Sequence, residues 1–140
     1  MGVHNLQKKI AVDKAVFEDF ADLLTKGVLG EASETFSIAF VSDRRMRELN
    51  KLFRSKDSTT DVLSFPREPD EFDPDRNNLG DIVISVEQAQ KQAAENGLTL
   101  EAEIKQLILH GVLHLGGYDH ETDGGEMNVR ELELREKLGI

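Results

Sequence analysis

Three of this chain's four histidines fall within eleven residues, His110, His114 and His120, in the spacing H-x3-H-x2-G-x2-H. Two histidines four apart lie on one face of a helix, one turn separated, so their ring nitrogens can converge. A glycine at 117 lets the backbone leave the helix in a left-handed conformation, and the third histidine swings back onto the same point. Three neutral imidazoles with one open position are the donor set of a catalytic zinc site rather than a closed structural one. The reading is therefore one Zn(2+) per chain on His110, His114 and His120. Imidazole donors also suit nickel, copper or iron, and zinc is favoured only by its prevalence in such sites.

The spacing is that of the metzincin proteases, H-E-x-x-H-x-x-G-x-x-H, in which the glutamate is the general base. Here Gly111 follows His110, so the metal geometry is present and the proteolytic base is absent. A metalloprotease is accordingly the weaker reading. Asp119, one residue before the third histidine, is a candidate to accept that ring's second N–H. Turn chemistry explains it equally well. His4 reads as a bystander near the N-terminus.

A second constellation lies upstream. Arg44, Arg45, Arg47, Lys51, Arg54 and Lys56 cluster within thirteen residues of a chain whose net charge is −10, from 17 basic and 27 acidic residues. The acidic total argues against a protein that coats nucleic acid, but a local basic stripe can still meet a phosphate backbone. A guanidinium in the polar stretch after residue 53 can pair bidentately with a phosphate and offset charge developing on it. The plainer alternative is a solvated helix face followed by a turn.

These residues need elements to hold them. A weak first strand is read over residues 5–11 and a helix over 13–27, with apolar residues from Ala15 to Leu24 and Gly27 at its end. Residues 36–41 alternate as a strand. Ser42 or Asp43 caps a helix with an apolar face of Met46, Leu49, Leu52 and Phe53. A strand over 61–65 stops at Pro66, and the proline-rich acidic stretch to Asn78 is loop. Residues 80–86 are a buried strand. Ser85-x-x-Gln88 opens a helix that Gly97 closes. A helix starting near Thr99 carries Ile104, Leu107, Ile108, Leu109, Val112, Leu113 and Leu115 around most of its circumference, so it is central and buried. Residues 125–138 form a last amphipathic helix through Met127, Leu132, Leu134 and Leu138.

The order predicts an α+β fold: a small mixed β-sheet of about four strands with helices packed on it, the central helix carrying two of the histidines. Its 140 residues are read as a single domain spanning 1–140. With no cysteine, disulfides and thiolate ligands are excluded, which fits a reducing cytoplasm. No long apolar run and no signal-peptide pattern are seen, so a soluble protein with no membrane partner is expected.

Taken with Thr60-Asp61-Val62-Leu63-Ser64-Phe65-Pro66 and Gly80-Asp81-Ile82, the histidine run resembles that of the YbeY-type endoribonucleases, or rRNA maturation factors. The resemblance extends from about Val12 to Leu138. It implies a cytoplasmic metal-dependent endoribonuclease that cuts single-stranded RNA and acts in maturation of the small-subunit rRNA 3′ end and in ribosome quality control. Implied partners are ribosomal RNA and small-subunit ribosomal proteins. By position, the three histidines match the family's zinc ligands, with His114 also taken as catalytic, and Arg54 matches an arginine important for catalysis. Lys56 and Asp57 fall in the family's basic-acidic turn as substrate candidates. One departure is Thr59, where the family commonly has proline. A non-catalytic ribosome-assembly factor with a structural metal is the principal alternative.

Overall fold

Alternating and β-branched residues build the sheet, and the side chains on its two faces decide where the helices pack. The computed structural model describes residues 2–27, 35–67, 72–74, 77–115 and 125–140. In chain order the elements are β1 (Gly2–Asn5), α1 (Lys14–Gly27), β2 (Thr35–Val41), α2 (Asp43–Arg54), β3 (Val62–Pro66), β4 (Asn78–Ser85), α3 (Val86–Asn96), α4 (Leu100–Leu115) and α5 (Glu126–Leu138). The strands form one mixed sheet in the order β1-β2-β4-β3. β1 and β4 run parallel to β2, and β3 runs antiparallel to β4 as an edge strand. The expected α+β architecture, with four strands and a central helix, is the one observed.

One face of the sheet carries Phe36, Ile38, Phe40, Ile82 and Ile84, all essentially sealed from solvent, and packs in the main core with α1 and α4. Because side chains alternate along a strand, Val41, Leu63 and Val83 emerge on the other face and pack with Met46 of α2. The seven apolar residues read on α4 are all buried. That helix is fixed on several sides, as a rigid support for functional side chains should be.

The first strand lies earlier in the chain than residues 5–11. It is Gly2–Asn5, in register Val3↔Ile38 and His4↔Ala39. After it, the buried Gln7 side chain does what a neighbouring strand would do. Its amide nitrogen donates to Asn5 Oδ1 at 2.9 Å and to the Ile10 carbonyl at 2.7 Å, while its oxygen accepts from the Ile10 N–H at 3.0 Å. Local side-chain bonding thus satisfies backbone that the apolar pattern assigned to a ladder.

Two apolar faces were read too wide. On α2, Met46 is buried, but Leu52 is 73% exposed and Phe53 59% exposed. Phe53 stacks edge-on against Phe65 of β3, with centroids 5.1 Å apart. On α5, Leu134 is buried and Leu132 is exposed. The side that α5 turns inward also carries Glu131, whose burial bears on the site below.

Gly80 opens the motif Gly80-Asp81-Ile82. Its φ is +136°, and a Cβ there would lie 2.1 Å from the Phe65 carbonyl oxygen. Only glycine lets β4 approach β3 this closely while adopting that conformation.

Candidate metal centre and adjoining cleft

His110 and His114 stand on the same face of α4, with ring centroids 4.8 Å apart and planes inclined at 70°. The i, i+4 spacing therefore brings the two rings together. His120 and Asp119 lie outside the described residues. Among the described residues, no group of three metal-ligating side chains is found.

Glu131 of α5, only 6% exposed, turns towards this pair. One carboxylate oxygen, Oε1, lies 2.8 Å from His110 Nδ1. Where that carboxylate is ionised it can only accept, which makes Nδ1 the donor and Nε2 the nitrogen through which His110 would reach a metal. The other oxygen, Oε2, accepts from Arg135 Nη2 at 3.3 Å, one turn along α5. The histidine is oriented by a carboxylate, and that carboxylate is held by a guanidinium, as metal-bound imidazoles usually are. These residues suit a divalent ion: His110 would present Nε2 and His114 its neighbouring ring. Sequence reading missed Glu131, because it looked for an orienting carboxylate beside the third histidine. The available signal was Glu131-x3-Arg135, which also reads as an ordinary surface helix pair.

Gly111 acquires a structural reason. It is buried against the sheet, and a Cβ built there would meet Ile82 Cγ2 at 2.9 Å and Cδ1 at 3.0 Å. The position after His110 thus points into the β4 contact. A glutamate has no room there and no route to the histidine face.

The Thr60–Pro66 segment meets the same region. Asp61 and Val62 line a cavity of about 560 Å³ together with His110, Glu131 and Arg135. Asp61 Oδ1 accepts from the Val62 N–H at 2.8 Å, and its carbonyl accepts from the Ser85 N–H at 2.9 Å.

The loop that leads to Asp61 is tied down by Asp43. Asp43 Oδ1 accepts from Ser85 Oγ at 2.5 Å and from Thr59 Oγ1 at 3.0 Å, and Oδ2 accepts from Gln88 Nε2 at 2.9 Å. Burial works to raise the Asp43 pKa, but the hydrogen bonds from Ser85, Gln88 and Thr59, helped by Lys9, hold it below its ordinary value. Asn50, buried beneath the loop, donates from Nδ2 to the Ser58 carbonyl at 2.9 Å. Thr59, which departs from the family's usual proline, therefore has an anchoring partner of its own. Ser42, not Asp43, is the N-cap of α2, its hydroxyl accepting from the Arg45 N–H at 3.2 Å.

Arg54 is the last residue of α2, exposed, and followed by Ser55 in a left-handed cap at φ 57°. It is not among the side chains lining the cavity beside His110. Lys56 is exposed on the same loop. Asp57 Oδ1 accepts from Arg47 Nε at 2.8 Å, and this pairing lowers the Asp57 pKa and raises that of Arg47. Arg44 and Arg45 both pair with Glu48. Much of the basic stripe is thus neutralised locally, and among the described residues Lys51, Arg54 and Lys56 carry no ion pair.

Nearly the whole chain is similar to known proteins. The model of the family described as Endoribonuclease YbeY matches residues 2–139. The chain belongs to the YbeY endoribonuclease family. Relatives bearing that name include one from Nautilia profundicola, 50% identical over 103 residues, covering 74% of this chain and 71% of the relative. Another, from Aquifex aeolicus, is 47% identical over 127 residues, covering 90% and 83%. The solution structure of TM1509 from Thermotoga maritima superposes with a TM-score of 0.63 at 26% identity, over 94% of this chain and 84% of that one. The helix that bears His110 and His114 is α4, and the Thr60–Pro66 segment runs into β3. Among the described residues, no helix is long and apolar enough to cross a membrane.

Proposed function

We propose that this chain is a metal-dependent endoribonuclease that cuts single-stranded RNA, with one zinc ion held by His110, His114 and His120. We extend the reading to cytoplasmic maturation of ribosomal RNA at the small-subunit 3′ end and to ribosome quality control, alongside small-subunit ribosomal proteins. Family membership supports the nuclease chemistry. The observation that carries the metal dependence is the 2.8 Å contact between Glu131 and His110 Nδ1, which fixes the tautomer a metal ligand needs.

Bound by His110, His114 and His120, a divalent ion would supply Lewis acidity towards a phosphate oxygen and would lower the pKa of water. The chain's own residues do the rest. Glu131 orients the His110 ring through Nδ1, and Arg135 Nη2 holds Glu131 in place. Arg54 brings a guanidinium to the scissile phosphate, where it offsets the growing negative charge. The bonds from the Thr59 hydroxyl to Asp43 and from Asn50 to the Ser58 carbonyl hold the loop joining Arg54 to Asp61. Peptide hydrolysis is disfavoured because the position of the proteolytic base is filled by the Gly111–Ile82 contact.

Metal analysis of the purified chain, paired with cleavage of a single-stranded RNA before and after chelation, tests this reading. The expected result is one equivalent of metal, with activity lost on chelation while the far-ultraviolet circular dichroism is kept. Unfolding on chelation with no RNA cleavage in either state would favour the assembly-factor reading instead.

A further inference from the structure

The cavity beside His110 does not have the lining of a phosphate site. Three carboxylates, Asp61, Glu103 and Glu131, face it against one cation, Arg135, whose guanidinium already donates to Glu131. What remains is a set of carboxamides, Gln92 and Asn96 at the end of α3 and Gln106 on α4, with Leu98, Leu107 and Val62 as apolar walls. Glu103 is buried at 4% exposure and accepts from Asn96 Nδ2 at 3.3 Å. Glu103, Leu107 and His110 are spaced by four and three residues and Gln106 lies four before His110, so the cavity runs along the face of α4 that carries His110.

A volume of about 560 Å³ lies in the range that holds small ligands. The lining asks for a flat, uncharged ligand with apolar faces and a donor-rich edge. Carboxamides pair bidentately with an amino group next to a ring-nitrogen acceptor, and carboxylates accept from amino groups. A nucleobase with an exocyclic amino group meets these demands. Uracil can still pair with a carboxamide through N3–H and a carbonyl, but it has no amino group to donate to the carboxylates and would turn its carbonyls towards them.

We propose that this cavity is a base-binding subsite, which seats one unpaired amino-bearing base of the RNA next to the phosphate being cut. The proposal rests on the endoribonuclease reading above and adds to it. It also gives that reading a physical source of single-strand preference, because a base must leave its stack and its pairing partner to enter such a pocket.

The test uses the whole chain and short single-stranded oligouridines in which one position is adenosine, cytidine or abasic. The expected result is cutting concentrated beside the adenosine or cytidine, at least about tenfold faster than in the all-uridine strand, with the abasic strand no better than uridine. Gln92→Leu and Gln106→Leu should each bring that ratio towards one. Equal rates and cut positions whatever the base, or a preference that survives both substitutions, would overturn the assignment. If no RNA is cut at all, the endoribonuclease reading fails and nucleotide binding decides the cavity separately. Adenosine 5′-monophosphate, but not uridine 5′-monophosphate, should then shift the side-chain amide resonances of Gln92, Asn96 and Gln106. No shift with either nucleotide overturns the proposal.

Discussion

Glu131 Oε1 lies 2.8 Å from His110 Nδ1 across the packing of α5 on α4. This contact orients one of the two helical histidines proposed to hold the metal. It makes α5 part of the site although none of its residues belongs to the histidine motif. Orienting carboxylates of this kind typically contribute about 10–100-fold in metal affinity. Glu131→Ala should weaken zinc binding by about that factor in a competition titration with a chromogenic chelator. Glu131→Gln, which keeps an oxygen acceptor, should lose less.

The Gly111–Ile82 contact should be measurable as stability. A methyl group at 111 must displace β4 or the Ile82 side chain, and overpacking of this kind costs about 1–3 kcal/mol. Urea unfolding of Gly111→Ala should show a lowered midpoint. In Ile82→Ala the same substitution should cost much less, because the neighbour it meets has gone. Additive effects of the two changes would contradict the contact.

These two relationships show what could and could not be read beforehand. The histidine spacing, the buried α4 and the glycine in place of a proteolytic base were all visible in the sequence, because each rests on short-range periodicity. Glu131 was not, since its partner lies 21 residues away and its own neighbourhood reads as a charged surface helix. Residues 5–11 misled for the opposite reason: the Gln7 side chain satisfies backbone groups that the pattern gave to a strand. Leu52 and Leu132 follow helical periodicity, yet exposure depends on what the fold sets against each face.

Asp43 predicts how stability responds to acid. Its carboxyl is held below the ordinary value of 3.8 in the folded chain, so the unfolded chain binds a proton at higher pH than the folded one. The stabilisation is fully present above the unfolded value and is lost as pH falls through the folded one. Unfolding free energy measured by urea titration should therefore drop on acidification below about pH 5. Asp43→Asn should be less stable at neutral pH and should show a shallower acid loss. An unchanged slope in the variant would contradict this role.

The basic stripe should divide into two classes. Arg44, Arg45 and Arg47 are paired with Glu48 or Asp57, whereas Lys51 and Lys56 carry no ion pair among the described residues. Replacing Lys51 or Lys56 with alanine should lower the salt dependence of RNA affinity by about one unit of slope each. Arg45→Ala should change it less. Arg54→Ala should act on turnover as well, lowering kcat for RNA cleavage by about 100-fold, the scale of losing one charge-stabilising group.

If the α4 histidines hold a metal that drives RNA cleavage, removing one of them must stop the reaction. The most direct measurement is the single-turnover rate of His114→Ala on a single-stranded RNA with zinc supplied, compared with the unaltered chain and with the fold checked by circular dichroism. The expected result is a folded variant whose cleavage rate falls by at least about three orders of magnitude, the scale of losing a metal-dependent step. A folded His114→Ala chain that cuts the RNA at the unaltered rate would contradict it.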